Sequence, residues 1–136
     1  MSSFRIFEIA GSGMSAQSLR LNITASNLAN AESVSGNDKG VYRAREPVFS
    51  AVMDGFGDES AANVRVLGVV ENNAPVQMRY EPGHPLADAQ GYIYMPNVNM
   101  VEQMANMISA SRSYQNNVEV LNTSKQLLLA TLRLGQ

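Results

Sequence analysis

The chain has no cysteine, no tryptophan and a single histidine among its 136 residues. Without thiols there is no disulfide framework, no thiolate nucleophile and no cysteine-bound metal. The one imidazole, His84, stands between Gly83 and Pro85, with no companions for a metal set or a nucleophilic triad. A structural place in a turn is expected for it. Charge is also scarce: charged side chains make up 16% of the chain and the formal net charge is -2. There is no basic excess to grip phosphate, so nucleic-acid binding lacks its electrostatic footprint. No apolar run approaches the ~20 residues needed to span a bilayer. The N-terminal stretch has a lone Arg5, and Glu8 interrupts its apolar residues, so it does not read as a cleaved secretory signal.

Catalytic motifs are missing as well. Gly11-Ser12-Gly13 lacks the third glycine and the preceding strand of a dinucleotide fingerprint, and it is not a Gly-x-Ser-x-Gly elbow. Asp54, Asp58 and Glu59 share a loop rather than the cleft that carboxylate-pair hydrolysis needs. No catalytic, cofactor-binding or metal-binding residue is assigned, no cofactor is expected, and an enzyme is not.

What the chain does have is apolar surface, 45% of its residues. That is too much for a wholly disordered polymer, and it is concentrated at the two ends. In residues 1–31, Phe7, Met14, Leu21 and Leu28 recur every seventh residue and define one helical stripe. Ile9, Ala16 and Ile23 repeat in the same way two residues later, about 200° around the helix. A helix apolar on two faces needs neighbours on two sides. Ser2 or Ser3 is available as its cap. Gly11 and Gly13 each cost roughly 1 kcal/mol of helix propensity relative to Ala, which predicts a helix that leans on its partners or lets one come close.

Residues 97–136 carry the strongest pattern. Met100, Met104, Met107, Ser111, Tyr114, Val118, Leu121, Lys125, Leu128 and Leu132 alternate steps of four and three, a heptad series broken only by Ser111 and Lys125. Asn99 is placed to cap the start, with Glu102 three residues on, and Gly135 to end it. A second apolar set, including Val101, Ile108, Val120 and Leu127, lies off this seam. The methionines suit core packing, or adaptation to several non-identical neighbours. Lys125 suits either a register-setting role within the seam or a stem that snorkels to the surface.

Residues 32–62 read as an extended excursion and loop. Ser33–Gly40 is dense in turn formers, Tyr42–Phe49 is extended with Pro47 opposing helix, and Asp54–Ser60 is a loop. Residues 63–96 read as a small β insert. A strand through Val64, Val66, Val69 and Val70 turns at Glu71–Pro75 and pairs with Val76–Tyr80, and Gly91–Met95 gives a third short strand. So short a segment folds only by docking on something larger. The expected fold is mainly α with a small β insert, the terminal helices forming a coiled-coil-like pair. Pairing leaves their second apolar faces exposed unless the β insert covers them. Faces left exposed mark interaction surfaces, and a head-to-tail repeat that does not close builds a filament or tube.

Ser26-Asn27-Leu28-Ala29-Asn30-Ala31, followed by Tyr42-Arg43-Ala44 and Glu46-Pro47-Val48-Phe49, resembles the N-terminal signature of the flagellar basal-body rod proteins. Tyr80–Pro85, Ala87-Asp88, Gly91-Tyr92-Ile93 and Met95-Pro96-Asn97-Val98-Asn99 are similar to the central segment of the small proximal-rod members. Ser111–Asn117 and Val120–Lys125 are similar to their C-terminal helix. The match keeps its order over nearly the whole chain; the acidic loop at Asp54–Ser60 departs from it. The resemblance implies a structural subunit of the proximal rod, exported by the flagellar type III apparatus without a cleaved signal and placed where the rod crosses the periplasm. Its implied partners are copies of itself and other rod proteins, with contact to peptidoglycan left open. The assembly interface is then expected on Phe7, Met14, Leu21, Leu28, Ile9 and Ile23 of the first helix. On the last helix it is expected on Met100, Met104, Met107, Tyr114, Val118, Leu121, Leu128 and Leu132. An export-linked coiled-coil adaptor is the alternative. An enzyme acting on peptidoglycan has no catalytic set to support it.

Overall fold

The computed structural model describes residues 3–53 and 62–135. Two long helices, α1 (Ser3–Asn30) and α2 (Met100–Leu134), bracket four strands: β1 (Arg45–Met53), β2 (Ala62–Glu71), β3 (Gln77–Tyr80) and β4 (Tyr92–Met95). The protein is mainly helical with a β insert. The helices lie antiparallel, with Asn27 opposite Gln103 and Gly13 opposite Asn117. Fourteen residues separate the two positions on each helix, so one register holds over two heptads. Asn99 caps α2 by accepting from the backbone N–H groups of Val101 and Glu102, at 3.1 and 3.3 Å. Helix α2 ends at Gly135, whose N–H reaches the Thr131 carbonyl. Ser3 lies inside α1 rather than ahead of it, and Ser2, the other candidate cap, lies outside the described residues.

The strands differ from the expected hairpin. β2 does not pair with the segment after Pro75; it pairs antiparallel with β1, where the sequence predicts an unpaired extended stretch. β3 pairs with β4. The reason lies in Asn97. Its Nδ2 donates to the carbonyls of both Asn72 and Ala74, each at 2.9 Å, and its Oδ1 accepts from the Ala44 N–H at 2.8 Å. The Asn72 N–H in turn reaches the Ala44 carbonyl at 2.7 Å. These bonds draw 72–74 out as a crossover instead of letting it fold back as a tight turn. In the β1–β2 ladder Val48 opposes Gly68 and Phe49 opposes Val66, so Leu67 is left over as a bulge. The loop reading at Asp54–Ser60 lies outside the described residues.

Both hairpins start from one junction, where α1 ends and α2 begins. Ala31, Ala44 and Val98 form its buried cluster with Tyr42 against it, and Ile93 and Pro96 are fully enclosed nearby. A two-bond bridge between Ser35 and Tyr94 ties the turn-rich 33–40 segment to β4. At the centre sits Asn27, 1% exposed. Its Nδ2 donates to the Arg45 carbonyl at 2.9 Å and to Gln103 Oε1 at 3.0 Å. Its Oδ1 accepts from the Arg45 N–H at 3.0 Å and the Tyr42 hydroxyl at 2.8 Å. All four hydrogen-bonding positions of the amide are therefore filled. Removing it strands partners from three elements in a site that water does not reach. Asn27→Ala is expected to destabilise the fold by about 2–4 kcal/mol, read as a shifted urea midpoint. A shift no larger than that of an exposed-site alanine would show that the network is dispensable.

Candidate assembly surface

Helix α1 packs against two neighbours, α2 and the β1–β2 hairpin. Ala16 and Ile23 are buried and Ile9 is half-buried; Phe7, Met14, Leu21 and Leu28 are half-buried. The hairpin is anchored at its base by Arg45 on Asn27. Further along, the Val64 N–H donates to Ser12 Oγ at 3.1 Å. Gly13 lets α2 approach closely: a Cβ there would come within 2.9 Å of Asn117 Nδ2. Gly11 faces open space and serves no such contact.

On α2 the heptad series divides. Met107, Tyr114, Leu121 and Leu128 are half-buried along the pair. The positions that complete their stripe are Gln103, Ala110, Asn117 and Ser124, one residue before the expected Met104, Ser111, Val118 and Lys125. Gln103 and Ala110 are buried. Ser111 and Val118 are half-buried at the flank, while Met100, Met104, Lys125 and Leu132 are exposed. Close approach explains the rotation. Where Gly13 lets the backbones come close, the small Ala110 and the amides of Gln103 and Asn117 turn inward in place of their bulkier neighbours. Lys125 therefore does not set the register of this pair; Asn27 with Gln103 does, supported by Arg20 donating to Asn106 Oδ1 at 2.9 Å.

The result is an inverted distribution. The fully buried positions of α2 are small or polar, Gln103 and Ala110; Met107, Tyr114, Leu121 and Leu128 are half-buried beside them, and many other large apolar residues face outward. Val101, Met104 and Ile108 form an exposed patch near the start of α2; Val120, Leu127, Leu129, Leu132 and Leu134 are exposed toward its end. The β1–β2 hairpin adds Val48, Val66, Leu67, Val69 and Val70. Asn27, Gln103 and Asn97 were not singled out from the sequence as structural determinants, because polar residues inside a periodic pattern look like interruptions of it.

The turn before β4 is held by Asp88. Its Oδ1 accepts from the N–H groups of Gln90 and Tyr92, both at 2.9 Å, and its Oδ2 accepts from the Tyr94 hydroxyl at 3.2 Å. Gly91 closes the turn with φ +85, a left-handed backbone where any Cβ would strike Tyr80 and Pro82. The Tyr92 N–H bond foremost holds the Asp88 carboxyl below the usual carboxylate range, and the bond to Asp88 raises the Tyr94 phenol above its usual value. His84 is part of the same turn: its Nδ1 accepts from the Leu86 N–H at 3.1 Å. It is a turn-stabilising residue. Among the described residues no group of three His, Cys, Asp or Glu side chains is placed to hold a metal, and no helix is long and apolar enough to cross a membrane.

These features define an antiparallel helical hairpin with a docked β appendage and an apolar outer surface. The flagella basal body rod protein family model matches residues 7–36, and the model of the C-terminal region of the flagellar basal body rod FlgEFG proteins matches 89–134. The chain is 54% identical to the flagellar basal-body rod protein FlgC of Salmonella typhimurium over 100% of both chains. It is 55% identical to the protein of that name in Yersinia enterocolitica, again over 100% of both. To that of Borreliella burgdorferi it is 32% identical, over 100% of this chain and 99% of the relative. The chain belongs to the flagellar basal-body rod protein family.

Two outcomes follow from the turn. Asp88, with its lowered pKa, contributes stability that is fully present above the ordinary carboxylate range and is lost as pH falls through its own lower value. Tyr94, with its raised pKa, contributes stability present below the ordinary phenol value and lost as pH rises through the folded one. Amide exchange at Tyr92 is therefore expected to speed up at both pH extremes beyond the intrinsic rate, and Asp88→Asn to abolish the acid arm. An unchanged acid arm in that variant would assign the effect elsewhere. His84→Ala, which removes one exposed acceptor, is expected to leave motility intact in a complementation assay.

Proposed function

We propose that this chain polymerises into the rod by packing the exposed faces of its two helices and its β1–β2 hairpin against neighbouring subunits. As a rod-family member it is a structural subunit of the proximal flagellar basal-body rod. The observation that carries the mode of assembly is the inverted distribution on α2. Val101 is 77% exposed and Ile108 56%, while the buried positions of the same helix are Gln103 and Ala110. A patch of that kind on a charge-poor protein is costly in water and is relieved by a partner. Its partners are then copies of itself and other rod proteins, and its role is mechanical rather than enzymatic. A close helix pair of about 40 Å, set by the 28 residues of α1, suits the transmission of torque along an axis.

The reading extends to delivery and place. The subunit leaves the cytoplasm through the flagellar export apparatus and takes its position where the rod crosses the periplasm. A helix interface rich in Gly, Ala and hydrogen-bonded Asn gains less from burial than a leucine seam does. That supports a pair that forms late, once neighbours contribute.

Ile108→Asp separates assembly from folding. The side chain is exposed, so the isolated fold is expected to keep its stability within about 0.5 kcal/mol. Incorporation and swimming are expected to be lost in cells that depend on the variant. Normal swimming would remove this patch from the interface. Leu121→Asp, half-buried against α1, is expected to fail in both assays, since it places a charge in the helix pair itself.

A further inference from the structure

The register between the helices leaves α2 longer than its partner. With Asn27 opposite Gln103 and Gly13 opposite Asn117, Ser3 at the start of α1 falls opposite Leu127. The last turns of α2, residues 128–134, project about 10 Å past it. This overhang carries exposed leucines on two opposite sides, with Thr131 and Arg133 between them. Leu127 and Leu134 lie on one side of the axis and Leu129 and Leu132 on the other, with exposures of 64%, 88%, 46% and 61%. A helix with exposed leucines on two sides needs neighbours on both.

Charge is divided between the ends of the molecule. From Leu121 to Gly135 the only charged residues are Lys125 and Arg133; both are exposed, and neither is in an ion pair among the described residues. At the opposite end Glu32, Glu46 and Glu102 are exposed and likewise in no ion pair among the described residues. Of the neighbouring cations, Arg43 and Arg45 are engaged with Asp38 and Glu71, and Arg20, in the same cleft as Glu46 and Glu102, donates to Asn106 Oδ1; Glu46 also accepts from Asn72 Nδ2 at 2.9 Å. Beside Glu102 lies the apolar patch of Val101, Met104 and Ile108. One end therefore offers a basic apolar plug, the other an acidic apolar seat.

We infer that the C-terminal overhang of α2 docks head-to-tail on the start of α2 in a second copy of this chain, bringing Lys125 and Arg133 to the carboxylates of Glu102, Glu46 and Glu32. The contact rests on the reading of the chain as a rod subunit and specifies which surface meets which. It is heterologous, so each copy keeps a free plug and a free seat, and addition continues without closing. The complementary charges orient the encounter and disfavour plug-to-plug contact, where like charges meet.

The absence of cysteine makes the test direct. Full-length Met104→Cys and Leu134→Cys chains are mixed at high concentration under mild oxidation, with helicity followed by circular dichroism. The expected product is the mixed disulfide dimer, in excess over either self-linked dimer. Arg133→Glu added to the Leu134→Cys chain is expected to lower its yield roughly two- to fivefold, the scale of one exposed ion pair. Glu102→Arg on the Met104→Cys chain is expected to restore it. Sedimentation velocity on the same charge variants without cysteines gives the comparison free of any cross-link. A Leu134→Cys chain that links only to itself, no dimer from helical chains, or a charge swap without effect in both assays would overturn the proposal. Where that happens while the cysteine variants still restore swimming, the head-to-tail contact fails and the rod reading stands.

Discussion

A carboxamide buried out of reach of water has to find a partner for each of its donors and acceptors, and Asn27 does so by gathering three parts of the chain. Gln103 comes from α2, Arg45 gives both its N–H and its carbonyl from β1, and Tyr42 comes from the segment between. An apolar residue there would pack but would not choose among near-equivalent helix registers. The amide chooses, because a shift of one residue leaves several buried polar groups unpaired at a cost of a few kcal/mol. The rest of the architecture follows from that choice: the depth to which α1 and α2 overlap, the point where the β1–β2 hairpin departs, and the length of α2 left without a partner. Asn97 repeats the device at the next crossing by fixing Ala44, Asn72 and Ala74.

The most deeply buried positions of the helix pair are small or polar, while many large apolar residues lie on the outer surface. Ala10, Ala16, Ala110 and the Asn27–Gln103 pair occupy the inside, and Val101, Met104, Ile108 and a run of leucines occupy the outside. Within one molecule this looks uneconomical. In the tube proposed above it is coherent: close backbones give a stiff pair and leave the bulky residues for contacts between molecules. Methionine at Met100 and Met104 suits surfaces that meet neighbours of differing shape.

Much of this was legible from the residues. Both helices, their bounds near Asn30 and Asn99, the β content between them and the family resemblance follow from heptad spacing, caps and ordered motifs. Two things were not. The strand through Val64 and Val70 has a plausible turn after it, and only the long-range bonds of Asn97 reveal that its partner is the earlier segment Arg45–Met53. Apolar spacing runs the α2 stripe through Met104 and Val118, whereas the fold turns Gln103 and Asn117 inward. Periodicity counts hydrophobicity, and a satisfied amide is invisible to it.

Sequence alone determined the local facts. Spacing sets where the helices form, and Asn99 and Gly135 set where α2 begins and ends. The tertiary structure decided which of two nearly equivalent faces of α2 turns inward, which strand pairs with which, and how far α2 outruns α1. Local preferences are fixed within a few residues of chain. Register and pairing depend on whether buried polar groups far apart in sequence can satisfy one another, and that is settled only when they meet.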